Sequence, residues 1–166
     1  MDYSWTCKCC GGHFETLPMN YSAVAPLNWF ALPEAERETR ADLDDHFCII
    51  DNREFYVLGD IVIPVIDHPE PLVQALWISV SRESMIYLLD HWDSPADDDE
   101  PPRFGWLCNW VHGYPEPREI RCHVFRRPLP TRPRIVLEPT DYPLAVEQHQ
   151  GITLERVQEI FALSAH

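Results

Sequence analysis

At 166 residues with a formal net charge of −14, the chain is long enough for one domain with a real core. Its mean field repels nucleic-acid phosphates. The 45% hydrophobic content excludes disorder over most of the length, and no apolar run of about 20 residues offers a membrane span.

The first ten residues hold neither a basic segment nor the apolar stretch of a secretory signal. A cytoplasmic location is therefore expected, with the six cysteines present as thiols or metal ligands rather than disulfides. Residues 1–28 form a metal-knuckle segment. Cys7 and Cys10 make a C-x-x-C followed by Gly11, which permits a tight turn behind two thiolates. His13 stands three residues further on as a nitrogen ligand. Cys9 lies between the pair, so Cys7-x-Cys9 or Cys9-Cys10 can also hold a metal or oxidise.

Residues 33–43 are polar and rich in Glu, Arg and Ala; Pro33 suits a first helical turn, so a short exposed helix is predicted there. Residues 46–81 follow as an antiparallel meander, with apolar runs at 48–50, 55–66 and 72–80 separated by Asp51-Asn52 and by 67–71. A closed tetrahedral zinc site needs four protein ligands. The expected set is Cys7, Cys10, His13 and Cys48, with His46 and then Cys108 as replacements for Cys48. That zinc is structural, one per chain, and ties the N-terminal segment to the first core strand. As a lone residue, Cys48 reads equally as a small buried hydrophobe.

A helix at 82–92, capped by Ser81, presents Met85, Leu88, Leu89 and Trp92 on one face. The acidic run at 93–102, with its prolines, reads as a mobile surface loop. The dense apolar stretch Phe104-Gly105-Trp106-Leu107 predicts burial. Residues 118–138 carry two strands: Ile120, Cys122 and Val124 face one way, Arg121, His123 and Phe125 the other. The arginines between 118 and 134 are expected as solvated charge. Residues 142–166 form C-terminal helices, one capped by Thr140 or Asp141 and broken at Gly151, the next capped by Thr153.

The fold expected is a single α+β domain: a mainly antiparallel sheet covered by two or three helices, with an N-terminal zinc-knuckle-like segment. The segments also resemble a bacterial family known as domain of unknown function 2199. The resemblance runs through Cys7-x-x-Cys10-Gly11-x-His13, Cys48-Ile49-Ile50-Asp51, Ile63-Pro64-Val65 and Trp77-Ile78-Ser79-Val80-Ser81. It continues through Phe104 to Asn109 and closes on Leu137-Glu138-Pro139-Thr140-Asp141 with Gly151-Ile152. It implies a cytoplasmic bacterial protein and no activity. Two positions depart from the pattern: Cys9 is an additional thiol, and Tyr142 stands where histidine is expected.

The functional expectation is a zinc-stabilised protein-binding module whose partner is another, basic, protein, with no nucleic acid and no membrane involved. The alternatives are a metal-dependent hydrolase drawing on His112, His123, Asp141, Glu147 and His149, or a thiol redox protein using Cys7 and Cys10. No G-x-S-x-G, H-E-x-x-H, P-loop or dinucleotide fingerprint supports an enzyme.

Overall fold

The computed structural model describes residues 4–165. A hairpin of β1 (Trp5–Thr6) and β2 (His13–Phe14) opens the chain, and β3 (Asn20–Ser22) follows. Next come α1 (Leu27–Ala31), a 3-10 turn (Glu34–Glu36), α2 (Arg37–Arg40) and β4 (Ala41–Leu43). The predicted helix over 33–43 is thus shorter, its last residues being a strand. The meander is β5 (Phe47–Ile50), β6 (Glu54–Ile63) and β7 (Leu72–Val80). Then α3 (Arg82–His91), β8 (Arg103–Leu107), β9 (Arg121–Phe125), β10 (Arg134–Leu137), α4 (Pro143–Gln150) and α5 (Leu154–Ala165) complete the order.

Local chemistry explains these boundaries. Asp51 and Asn52 both have φ near +50°, and Arg53 N–H donates to the Ile50 carbonyl at 3.0 Å. Asp51 and Asn52 are the centre of that turn, and residues 51–53 connect Ile50 to its ladder partner Glu54, a short hairpin loop. Ser81 accepts from Ser84 N–H at 3.1 Å and starts α3. Pro143 sits in the first turn of α4, and Gly151 ends it at φ +83°.

The sheet is not open. β6 to β10 pair in sequence, each antiparallel to the last, and β10 then pairs with β6. Four antiparallel steps return the fifth strand to the direction of the first, so the closing pair must be parallel. At that pair Arg134 lies opposite Asp60. The result is a five-stranded barrel, which hides its own edges. β3 extends it in parallel beside β7, and β5 and β4 extend it beside β6. The sheet is mainly antiparallel, as expected, but it closes into a barrel with added strands, which the expectation of a sheet covered by helices did not include.

Alternation along the strands divides the apolar residues into two cores. The larger lies inside the barrel and contains Val57, Ile61, Leu76, Ile78, Cys122, Val124, Ile135 and Leu137. Met85 and Leu88 of α3, Leu144 of α4 and Val157 and Ile160 of α5 join it, so these helices do dock on the strands. The smaller core lies on the outer face of β5, β6 and β7, where Cys48, Ile50, Tyr56, Leu58 and Trp77 are covered by Leu32 and Trp29. Asn109 fastens that cover. Its side chain accepts from Trp77 N–H at 2.7 Å and donates to the Ala25 carbonyl at 2.9 Å.

The N-terminal segment is held by packing and strand pairing. Trp5, Leu17 and Met19 are buried in the main core, and β3 is paired to β7. Nor is the acidic loop left free. Arg126 forks onto Glu100 at 2.6 and 2.7 Å and also donates to the carbonyls of His91 and Ser94. Arg127 and Arg132 both pair with the buried Asp60, at 2.7 and 2.8 Å. Three of the arginines expected as solvated charge are therefore at least partly buried clamps. Phe104 and Trp106 are half exposed, because β8 turns only Gly105 and Leu107 inward.

Candidate metal centre

The tip of the β1–β2 hairpin spans residues 7–12. Cys7 N–H donates to the Gly12 carbonyl, and Gly11 N–H donates to the Cys7 carbonyl, both at 2.8 Å. Gly11 holds φ +71°, the left-handed conformation that glycine adopts without penalty. Gly12 N–H reaches the Cys10 Sγ at 3.4 Å. Trp5 stacks on Phe14 with centroids 5.2 Å apart, and both meet Phe161 of α5 edge-on. The hairpin is thus fixed against the C-terminal helix by aromatic packing.

This turn brings Cys7, Cys9 and Cys10 together, with all three sulfurs within 4.8 Å of one another. Cys7 is buried; Cys9 and Cys10 are exposed. The Cys7 and Cys9 sulfurs are 3.0 Å apart, and this contact is the main reason the Cys9 thiol is pushed up to about 11. Thiols this close resist ionising together, and a cation between them removes that resistance. The three are close enough to hold one metal ion.

The other expected ligands are placed elsewhere. His13 lies opposite Thr6 in the β1–β2 ladder, while the neighbouring pair, Trp5 and Phe14, faces the core; His13 is exposed on the reverse side. Cys48 is fully buried in the smaller core, and its neighbour Phe47 points into the larger one, where Cys7 sits. A strand cannot turn both toward one side, so the wall of the sheet separates Cys48 from the hairpin tip. Burial pushes its thiol up to about 12, the behaviour of a packed hydrophobe. His46 rests against Trp92, and Cys108 borders the smaller core. The residue that joins Cys7 and Cys10 in the turn is Cys9, whose signal in the sequence is its position within the knuckle.

The family model described as an uncharacterized protein conserved in bacteria, DUF2199, matches residues 6–152. The chain belongs to the DUF2199 family. No curated protein and no solved structure matches it. The match begins at Thr6, so the DUF2199 region includes the cysteine turn. Among the described residues, no helix of this DUF2199 protein is long and apolar enough to cross a membrane.

The groups weighed for hydrolysis are dispersed over this DUF2199 chain. His123 faces Glu138 at 3.1 Å, and His149 meets the Leu137 carbonyl at 2.6 Å. Glu147 accepts from the Tyr114 hydroxyl at 2.5 Å and from Arg156 at 2.8 Å. His112 and Asp141 are exposed. Tyr142, at the position where histidine was expected, is buried and donates to the Pro115 carbonyl at 2.9 Å.

Proposed function

We propose that this chain is a zinc-binding protein in which Cys7, Cys9 and Cys10 hold one ion at the hairpin tip. The observation that carries the reading is the meeting of three sulfurs within 4.8 Å on a braced turn. Thiolates select zinc, copper(I) or iron–sulfur clusters, and a single knuckle with tetrahedral preferences suits zinc. The role is to stiffen the turn, in keeping with a binding module.

Its partner is a basic protein. What supports this is the net charge of −14 combined with the internal engagement of Arg126, Arg127, Arg132 and Arg156. With those cations committed, the field outside is acidic and steers a basic surface toward the chain.

The test is elemental analysis of protein purified without a histidine tag. About one zinc per chain is expected, as for one thiolate site. Cys7→Ser and Cys10→Ser should lose it, and Cys48→Ser should keep it. A folded, metal-free wild-type sample that takes up no zinc on titration overturns the proposal.

A further inference from the structure

Beside the sulfur cluster, between the hairpin and α5, lies a groove of about 450 Å³. This is a volume typical of small-molecule sites. Cys7 and Cys9 line one end of it, and Trp5, Ala162 and Leu163 supply its apolar wall. Three sulfurs provide three ligands to an ion that prefers four. Among the described residues no further His, Cys, Asp or Glu atom joins the group. The groove reaches two of the three sulfurs, so a donor lying in it could supply the fourth ligand, as in an open zinc site.

Charge decides what kind of donor can enter. A divalent ion on three thiolates carries one net negative charge. The two cations on the groove, Lys8 and Arg156, are already paired, Lys8 with Glu155 and Arg156 with Glu147 and Glu159. An anionic donor would add negative charge where no uncommitted cation receives it, inside a chain of net charge −14. A neutral nitrogen donor adds none, and imidazole nitrogen is a good zinc ligand. The wall formed by Trp5, Ala162 and Leu163 favours an apolar body behind that donor.

We propose that the groove takes a small neutral nitrogen base, an imidazole carrying an apolar substituent, whose nitrogen completes the coordination of the ion held by Cys7, Cys9 and Cys10. The proposal rests on the zinc reading above.

The experiment is run on the full chain in two stages. Zinc is titrated first, so that failure of the zinc reading is seen alone: no uptake removes both readings at that stage. Zinc-loaded protein is then titrated calorimetrically with 4-phenylimidazole, imidazole and phenylacetate. 4-Phenylimidazole should bind once per chain, at least about tenfold tighter than either of the others, the gain expected from burying a phenyl ring. In cobalt-substituted protein it should shift the visible absorption bands. Leu163→Gln should weaken 4-phenylimidazole about tenfold with zinc stoichiometry unchanged. His13→Ala should still bind one zinc. Loading of zinc with no preference for 4-phenylimidazole over imidazole, or tighter binding of phenylacetate, overturns the proposal. Loss of zinc from His13→Ala overturns it as well, because the fourth ligand would then come from the hairpin itself.

Discussion

Gly105 shows how little room the barrel leaves at single positions. A Cβ built there would lie 2.6 Å from the Ser79 carbonyl oxygen and closer still to the Ile78 side chain. A backbone oxygen in a paired strand cannot retreat as a side-chain end can. Gly105→Ala should therefore cost about 1–3 kcal/mol, as overpacked core sites do, read as a lower urea midpoint with unchanged slope. An unshifted midpoint would mean that β8 can move away from β7. The same scale explains which parts of the candidate site were legible. The C-x-x-C-G pattern fixes its own geometry, since a tight turn and nearby sulfurs follow from consecutive residues. The fourth ligand does not follow, because it depends on which face of a distant strand a residue occupies. The pairing of Phe47 with the larger core, which turns Cys48 away, is set by the whole barrel.

At the scale of elements, two segments are held by means that composition does not reveal. The loop at residues 93–102 reads as mobile from its charges and prolines, yet Arg126 from the end of β9 fixes it through Glu100. The Arg126 hydrogen bond holds the Glu100 carboxyl below the ordinary value of 4.5, against the opposing effect of burial. A depressed carboxylate value means that the clamp's stabilisation is fully present above about pH 4.5 and fades as pH falls through the lowered value. Thermal unfolding measured against pH should show wild type more stable than Glu100→Gln near neutrality, with the gap closing in acid. A gap independent of pH would assign the effect to packing. The N-terminal segment is the second case. Since β3 is bonded to β7 and Trp5 is stacked against Phe14 and Phe161, metal removal should speed amide exchange only around residues 7–12. Faster exchange at residues 20–22 on chelation would restore the metal as a tether. The meander, by contrast, was legible throughout, because alternating apolar runs and the Asp51-Asn52 turn are local signals.

For the whole molecule, what the sequence could not express was closure. Nothing in β10 marks it as the neighbour of β6, and the parallel seam between them follows only from the number of strands in the ring. Asp60 sits on that seam. Its N–H donates to the Pro133 carbonyl at 2.8 Å, and its carboxylate takes both Arg127 and Arg132. The seam has a temporal consequence. It joins residues 60 and 134, far apart along the chain, whereas every other barrel pair joins consecutive strands. Loop-closure entropy delays such a contact in folding, which predicts a transition state with the β6–β7 hairpin formed and the seam open. A contact made late changes the rate of unfolding and leaves refolding nearly untouched. Arg132→Ala, followed by stopped-flow in urea, should steepen the loss of the native state by raising the unfolding limb alone. A slower refolding limb would place the seam in the nucleus. If only the unfolding limb moves, the barrel has a preferred line of opening along Asp60, and the arginines that clamp it lengthen the lifetime of the folded chain.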